Sequence, residues 1–138
     1  MSERKFTIHT DGGARGNPGP GGIGVVIEEG ADTVAAFGEY IGHVTNNQAE
    51  YRAVIRALEK SKELGATQVE VFVDSQLIAR QIRREYKIKE KTLAQLFVQA
   101  WNLIQDFQSF SIKEIPREKN KRADTLVNEA IDNKGLTS

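Results

Sequence analysis

The sequence contains no cysteine and only one tryptophan among its 138 residues. Without thiols the chain can form neither disulfides nor thiolate metal sites, so any metal must be bound by oxygen atoms or by one of the two histidines, His9 and His43. No apolar run is long enough to cross a membrane, and the charged Ser-Glu-Arg-Lys start is unlike a signal peptide. These absences predict a soluble, cytoplasmic protein with no membrane partner.

The chain also lacks a net charge, because 19 basic residues balance 19 acidic ones. Nucleic-acid-binding domains are usually basic, so the overall charge gives no support to such a function. Two segments are nevertheless locally basic, residues 80–91 (RQIRREYKIKEK) and residues 113–122 (KEIPREKNKR). Charge runs of this kind are most often solvated surfaces, and a surface that binds phosphates is the alternative.

The length suits one compact domain, which we expect residues 1–138 to form. Apolar alternation predicts strands at 5–11, 22–29, 33–41, 68–74 and 109–116, and residues 12–22 (GGARGNPGPGG) are predicted to form a loop. Helices are predicted at 46–64, 75–84 and 92–107, and a last one from the Asn120 cap to Asn133. This order predicts an α/β fold in which helices flank a five-stranded mixed sheet, with three antiparallel strands followed by two parallel ones.

Four acidic residues occupy positions that such a fold could bring together. Asp11 and Asp74 each end a predicted strand, and the carboxyl ends of neighbouring parallel strands lie at one edge of a sheet. Glu50 and Asp124 lie near the starts of helices, which begin at that same edge. Because like charges packed together repel, a hard divalent cation normally fills such a cluster, and Mg²⁺ or Mn²⁺ suits ligands that are all oxygen.

Each acid also has a purely structural explanation. Asp74 could cap the helix that follows it, and Asp11 could form an Asx-turn in the glycine-rich loop. Glu50 and Asp124 could each stabilise a helix start through the helix dipole. For any single acid the structural explanation is favoured, whereas four acids at one edge favour a metal site.

Four segments of the chain resemble the motif blocks of type 1 ribonuclease H, in the order and at the spacing of that family. They are TDGGARGNPGPGGIG (10–24), TNNQAEYRAVIRAL (45–58), VDSQLI (73–78) and PREKNKRADTLVNEA (116–130). The resemblance covers essentially the whole chain and implies a ribonuclease H-like fold. It also implies that the catalytic residues are the metal ligands Asp11, Glu50, Asp74 and Asp124. Two ions, Mg²⁺ or Mn²⁺, would be bound, with Asp11 shared between them, Glu50 and Asp74 on one side and Asp124 on the other.

The activity that the resemblance implies is hydrolysis of the RNA strand of RNA–DNA hybrids by a two-metal mechanism, leaving 3′-hydroxyl and 5′-phosphate ends. The minor groove of a hybrid is lined with 2′-hydroxyls, which distinguish RNA from DNA. The substrate-binding positions implied by the family are Gly12, Gly13, Ala14, Asn17, Thr45, Asn46, Asn47 and Gln76. Of these, Asn17 and Thr45 would bind a phosphate of the DNA strand, and the others would lie near 2′-hydroxyls and base edges.

The sequence departs from the family pattern in two places. Only RREYKIKEKT (83–92) stands where many members carry a long, basic, tryptophan-rich protrusion, so a smaller DNA-binding surface and weak substrate affinity are expected. The loop PREKNK (116–121) also lacks the histidine that many members carry there, which makes Arg117 and Glu118 candidate auxiliary residues. His9 and His43 match no ligand position and are expected to be structural or surface residues.

Two other functions compete with the nuclease. A domain with this fold could bind hybrids without cutting them, but such domains usually lose one or more of the acids, and all four are present here. Transposase and junction-resolvase cores share the fold, but they are not expected to carry the first two motif blocks together. A monomer is the default expectation for any of the three.

Overall fold

The computed structural model describes residues 3–134. Its strands are β1 (Lys5–Ala14), β2 (Gly19–Glu29), β3 (Asp32–Val44), β4 (Gln68–Val73) and β5 (Ser109–Glu114). Its helices are α1 (Asn46–Glu63), α2 (Gln76–Ile82), α3 (Lys91–Ile104) and α4 (Lys121–Asn133), and a short 3-10 turn spans Arg117–Lys119 before α4. The predicted order of strands and helices is confirmed.

The five strands form one sheet in the order β3-β2-β1-β4-β5. β2 pairs antiparallel with both β1 and β3, whereas β4 pairs parallel with both β1 and β5. The prediction of three antiparallel strands followed by two parallel ones is therefore confirmed. Because β1 and β4 are parallel neighbours, the chain leaves both strands at the same edge of the sheet.

Helices cover both faces of the sheet. α1 packs on β1 and β2 and against α3, while α4 packs on β2, β3 and β1. A Cβ on Gly24 would collide with the Ala123 carbonyl of α4, whereas the preceding residue, Ile23, lines a groove beside α1. Since successive residues of a strand point to opposite faces, α1 and α4 lie on opposite sides of the sheet.

The glycine-rich segment corrects one prediction. Residues 12–22 were expected to form a loop, but β1 continues through Ala14 and β2 begins at Gly19, so only residues 15–18 form the turn. Gly12 pairs with Ile23 within the ladder. A Cβ on Gly12 would collide with the backbone of Ala49 in α1. Glycine is needed here for the close approach of a helix to the sheet, and so its usual meaning as a sign of a turn is misleading.

The first helix begins and ends as its sequence predicts. The Thr45 hydroxyl accepts a hydrogen bond from the Gln48 amide (3.2 Å), and the Gln48 side chain accepts one from the Thr45 amide (3.0 Å), which completes a capping box. After the C-cap residue Leu64, Gly65 turns the chain with a φ of +91°. The capping box fixes the amino-terminal end of α1, which carries Glu50.

The core lies between the sheet and helices α1 to α3. Its most deeply buried members include Phe6, Ile8, Val25, Tyr51, Val54, Leu58, Val71, Ile78 and Ile112. The Tyr51 hydroxyl, which is buried among them, donates a hydrogen bond to Gln81 of α2 (2.8 Å). Within residues 3–134 no helix is both long enough and apolar enough to span a membrane.

Candidate active site

Three acidic side chains meet where the chain leaves β1 and β4. Asp11 lies in β1, Asp74 directly follows β4, and Glu50 lies near the start of α1. Each carboxylate contributes one oxygen to a set whose members all lie within 4.8 Å of one another. The prediction that β1 ends at Asp11 is wrong, because the strand continues to Ala14 through its pairing with β2. Asp11 still lies beside Asp74, since both follow the last β1–β4 pair, His9 with Phe72. This placement and the capped start of α1 produce the convergence that the sequence predicts for the three acids.

The ionised forms of these acids are disfavoured by burial and by mutual repulsion. Burial raises the pKa of Asp11 to about 8, with the neighbouring acids Asp74, Asp124 and Glu50 adding to the increase. Burial also raises the pKa of Glu50 to about 7, although a hydrogen bond from the Ser75 hydroxyl opposes this effect. Ionising these carboxyl groups is unfavourable when no cation is bound. A divalent cation with a preference for oxygen ligands would stabilise their ionised forms.

The fourth predicted ligand, Asp124, approaches Asp11 from α4. It is half-buried, and its carboxylate is among the neighbours that raise the pKa of Asp11. In the described part of the chain, the set of oxygens within 4.8 Å of one another includes Asp11, Glu50 and Asp74 but not Asp124. Asp11 therefore interacts with all three other acids and is the central carboxylate of the cluster.

Asp74 does not cap helix α2, because the next residue, Ser75, does so. Ser75 is the N-cap of α2, and its hydroxyl oxygen accepts a hydrogen bond from the Ile78 amide (3.2 Å). The same hydroxyl lowers the pKa of Glu50, and Ser75 lines one small cavity together with Asp11, Glu50 and Asp74, so the start of α2 adjoins the acidic cluster. This role of Ser75 is not predicted from the sequence, although its position directly after an aspartate that follows a strand is a usable signal.

Asn120 departs from its predicted role. It occupies the N-cap position of α4, but its side chain makes no capping hydrogen bond. Instead the side-chain Nδ2 donates to the Thr10 carbonyl (2.8 Å) and to Asp74 Oδ2 (3.3 Å). The prediction that its side chain caps the helix is wrong, because the side chain directs its NH₂ group at two acceptors elsewhere in the chain, and its Oδ1 finds no donor among the described residues.

Amide side chains join the β1–β2 hairpin to the start of α1. Asn46 Oδ1 accepts a hydrogen bond from the Ala14 amide (2.8 Å), and Asn17 Oδ1 accepts one from the Asn46 amide (3.0 Å). Both asparagines are exposed, and no acceptor among residues 3–134 binds their NH₂ groups. Two exposed NH₂ groups, one on the β1–β2 turn and one at the start of α1, are therefore left for acceptors such as phosphate or sugar oxygens.

The other predicted substrate-binding positions lie along the same edge. Gly13 follows Gly12 at the end of β1, and Thr45 and Asn47 lie at the start of α1. Gln76 is the exposed first residue of α2. Gly12 itself is buried against the backbone of α1, so its contact with a substrate stays a prediction.

The two candidate auxiliary residues occupy the 3-10 turn before α4. Both side chains are exposed. Burial dominates the pKa of Glu50, but the positive charge of Arg117 is among the influences that lower it, so this guanidinium acts on the acidic cluster. Glu118 makes no hydrogen bond or ion pair with any other described residue.

An acidic cluster at the edge of a mixed β3-β2-β1-β4-β5 sheet, with α1 and α4 on opposite faces, defines the ribonuclease H-like class of α/β domains. Comparisons with known proteins agree. The chain matches the family model described as reverse transcriptase-like over residues 9–130. Ribonuclease HI of Halobacterium salinarum is 43% identical over 133 residues, which cover 94% of this chain and 67% of that protein. The chain belongs to the ribonuclease H family.

Solved structures support the same assignment. The crystal structure of RNase H1 from H. salinarum NRC-1 matches with a TM-score of 0.91 and 41% identity, covering 94% of this chain and 98% of that one. LC11-RNase H1, solved in complex with an RNA/DNA hybrid, matches with a TM-score of 0.88 and 50% identity, again covering 94% and 98%.

Some relatives are much longer than this chain. The bifunctional protein Rv2228c of Mycobacterium tuberculosis is 41% identical over 130 residues, which cover 93% of this chain. Those residues make up only 36% of that protein, so the chain spans about a third of its length.

Proposed function

We propose that this chain is a metal-dependent endoribonuclease that hydrolyses the RNA strand of RNA–DNA hybrids, leaving 3′-hydroxyl and 5′-phosphate ends. The observation that carries this proposal is the convergence of Asp11, Glu50 and Asp74, whose oxygens lie within 4.8 Å of one another. Membership of the ribonuclease H family supports the reaction type. The relative LC11-RNase H1, which was solved with an RNA/DNA hybrid, supports the choice of substrate.

The donor set fits two divalent ions, for which Mg²⁺ and Mn²⁺ are the candidates. Asp11, Glu50 and Asp74 would hold one ion, and Asp11 would share the second with Asp124. The chemistry that these ions supply when bound is activation of the attacking water and stabilisation of the leaving 3′ oxygen. The raised pKa values of Asp11 and Glu50 support this assignment, because they reflect buried charge that lacks a neutralising partner.

The residues around the acids would bind and orient the hybrid. The outward NH₂ groups of Asn17 and Asn46 are donors, and a nucleic-acid backbone offers mainly acceptors. Asn17 would bind a DNA phosphate together with Thr45. Asn46, Asn47 and Gln76 would lie against 2′-hydroxyls and base edges, which would make the enzyme selective for RNA in the cleaved strand.

The basic stretch 80–91 would form a reduced DNA-binding surface. Part of its charge is already engaged, because Arg83 pairs with Glu85 (2.9 Å) and Arg80 lies 3.9 Å from the same carboxylate. The guanidinium of Arg84 lies over the Trp101 ring, 5.2 Å from its centroid. Fewer free cations mean fewer phosphate contacts, so we expect weak binding that falls as the salt concentration rises, with a shallower salt dependence than a longer basic protrusion would give.

Three further parts of the proposal rest on the sequence. They are a single catalytic domain over residues 1–138, whose ends at 1–2 and 135–138 lie outside the described residues, a monomeric state, and a cytoplasmic location. The core supports the first of them, because it joins all five strands and helices α1 to α3 in one cluster.

A cleavage assay with labelled strands tests the proposed function. With Mg²⁺ or Mn²⁺ present, the RNA strand of a hybrid should be cut, while a DNA duplex of the same sequence stays intact. Double-stranded RNA of that sequence measures how strictly a DNA partner is required. Binding of the hybrid without cutting would favour the binding module, and equal cutting of duplex DNA would contradict the proposed specificity.

A further inference from the structure

Asn120 connects three of the four acid-bearing segments. Its side-chain Nδ2 donates to the carbonyl of Thr10, the residue before Asp11, and to the carboxylate of Asp74. Its own carbonyl accepts a hydrogen bond from the Asp124 amide (3.1 Å), which forms the first turn of α4. One residue thus contacts the segments that carry Asp11, Asp74 and Asp124.

The orientation of the Asn120 amide follows from its surroundings. The side chain is buried, with only 1% of the residue exposed. A backbone carbonyl can only accept hydrogen bonds, so the NH₂ group must face the Thr10 carbonyl, and Asp74 Oδ2 lies within reach of the same group. The opposite orientation would press Oδ1 against two oxygens. The donor is therefore directed at the acidic cluster by chemistry as well as by position.

A purely structural role explains this asparagine poorly. As an N-cap residue it contributes no side-chain hydrogen bond to α4. As a core residue it is unfavourable, because Oδ1 is buried and finds no donor among the described residues. An apolar side chain of similar volume would avoid that cost. What asparagine provides, and an apolar residue does not, is a two-proton donor shared between the end of β1 and Asp74.

We propose that Asn120 is a positioning residue of the metal centre, which holds the Asp74 carboxylate and the start of α4 in fixed positions relative to Asp11. The inference rests on the proposed function only in that these acids bind divalent ions. Outer hydrogen-bond partners orient metal ligands, and their loss typically lowers metal affinity about 10- to 100-fold. The loss of Asn120 should therefore weaken metal binding by a similar factor in a protein that is still folded.

Mn²⁺ binding to the substrate-free protein tests this inference without relying on cleavage. Asn120→Leu removes the donor while keeping a similar volume, and Asn120→Ala is the second variant. The matched control is Asn102→Leu, since Asn102 is exposed on α3 and makes no hydrogen bond through its side chain with residues 3–134. Affinity is measured by calorimetry below the melting temperature of each variant. We expect about ten-fold weaker binding for both Asn120 variants and an unchanged affinity for the control.

Thermal unfolding in a chelator separates the positioning role from a structural one. A structural role predicts a lower Tm with Mn²⁺ affinity unchanged in the folded protein, and that result would overturn the inference. If neither Asn120 variant folds, the wild-type side-chain amide of Asn120 can be followed by NMR. For this experiment Mg²⁺ replaces Mn²⁺ as the titrated metal. The resonances of the amide should move with the same midpoint as metal binding, and resonances that do not move would overturn the inference.

The outcomes also distinguish this inference from the proposed function. Wild-type cleavage of hybrids together with unchanged Mn²⁺ affinity in the Asn120 variants would leave the nuclease proposal standing and reject the positioning role. Failure of the wild-type protein to bind either Mn²⁺ or Mg²⁺ would reject both.

Discussion

Gly12 of β1 lies directly against the peptide bond that joins Ala49 to Glu50 in α1. A Cβ at Gly12 would collide with the Ala49 carbonyl group and would approach the Glu50 amide nitrogen to 2.6 Å. Backbone cannot move aside as a flexible side chain can, so the missing Cβ is what allows α1 to lie this close to β1. The approach of Glu50 to Asp11 therefore depends on a glycine whose own amide also donates a hydrogen bond to Asp11 Oδ1 (3.0 Å).

The first prediction concerns this contact. Gly12→Ala should lower the free energy of unfolding by about 2 kcal/mol or more, because overpacking here must displace α1. Gly13→Ala is the matched control, since a Cβ there would meet only ordinary contacts, 3.8 Å from Val127 and 3.9 Å from Asn46. Urea denaturation of both variants measures the difference. Equal stability of the two would show that α1 can shift without cost.

The second prediction concerns the central acids. Asp11→Asn and Asp74→Asn should each reduce hybrid cleavage about 100-fold or more, because each removes a charge from the proposed metal centre. Both variants should fold, since each loses like-charge repulsion. Cleavage is measured at saturating Mg²⁺ and again with Mn²⁺. Near wild-type cleavage by either variant would contradict the ligand assignment.

The third prediction follows from the raised pKa of Asp11, which is about 8 in the folded protein against an ordinary value of 3.8. Between these values the folded state binds more protons than the unfolded state, so the contribution of Asp11 to stability falls as pH rises. Because asparagine does not ionise, the Asp11→Asn variant does not lose stability in this way. In a chelating buffer, its stability relative to wild type should therefore increase from about pH 4 to pH 8 and then level off.

Urea denaturation of both proteins across this pH range measures the effect. Mg²⁺ provides the control, because a bound cation would stabilise the ionised carboxylate and reduce the advantage of Asp11→Asn at high pH. A difference that does not change with pH would mean that Asp11 is already ionised in the folded protein.

Local signals in the sequence were sufficient for most of the fold. The alternation in β1 and β4 and the capping box of Thr45 and Gln48 depend on neighbouring residues, so they could be read from the chain directly. The meaning of Gly12 could not, because its cause is a helix that begins 34 residues later. A glycine that permits close packing and one that forms a turn look the same in a sequence.

The candidate site shows the same division. The parallel pairing of β1 with β4 and the start of α1 place Asp11, Asp74 and Glu50 near one another through topology alone. The side chain of Asn120 has two possible partners, its own helix and the acceptors 110 and 46 residues away, and only the three-dimensional structure decides between them. The sequence therefore predicts the proposed metal ligands, but it does not predict residues such as Asn120 that support them.

The last prediction concerns the loop that lacks a histidine. Arg117 lies exposed in the 3-10 turn before α4, and its charge acts against the burial that raises the pKa of Glu50. A guanidinium in this position can hold a phosphate oxygen pair through two parallel hydrogen bonds. We expect Arg117→Ala to lower the kcat for hybrid cleavage about 3- to 30-fold, which is less than the loss of a metal ligand costs.

Glu118→Ala is the matched control for this prediction, because it removes a charge from the same turn without removing the guanidinium, and it should have a smaller effect. Arg117→Lys tests the geometry, since lysine keeps the charge but loses the planar two-point contact, and it should restore only part of the activity. Steady-state kinetics on a hybrid oligonucleotide measures all three. An unchanged kcat for Arg117→Ala would make Arg117 an ordinary solvated charge.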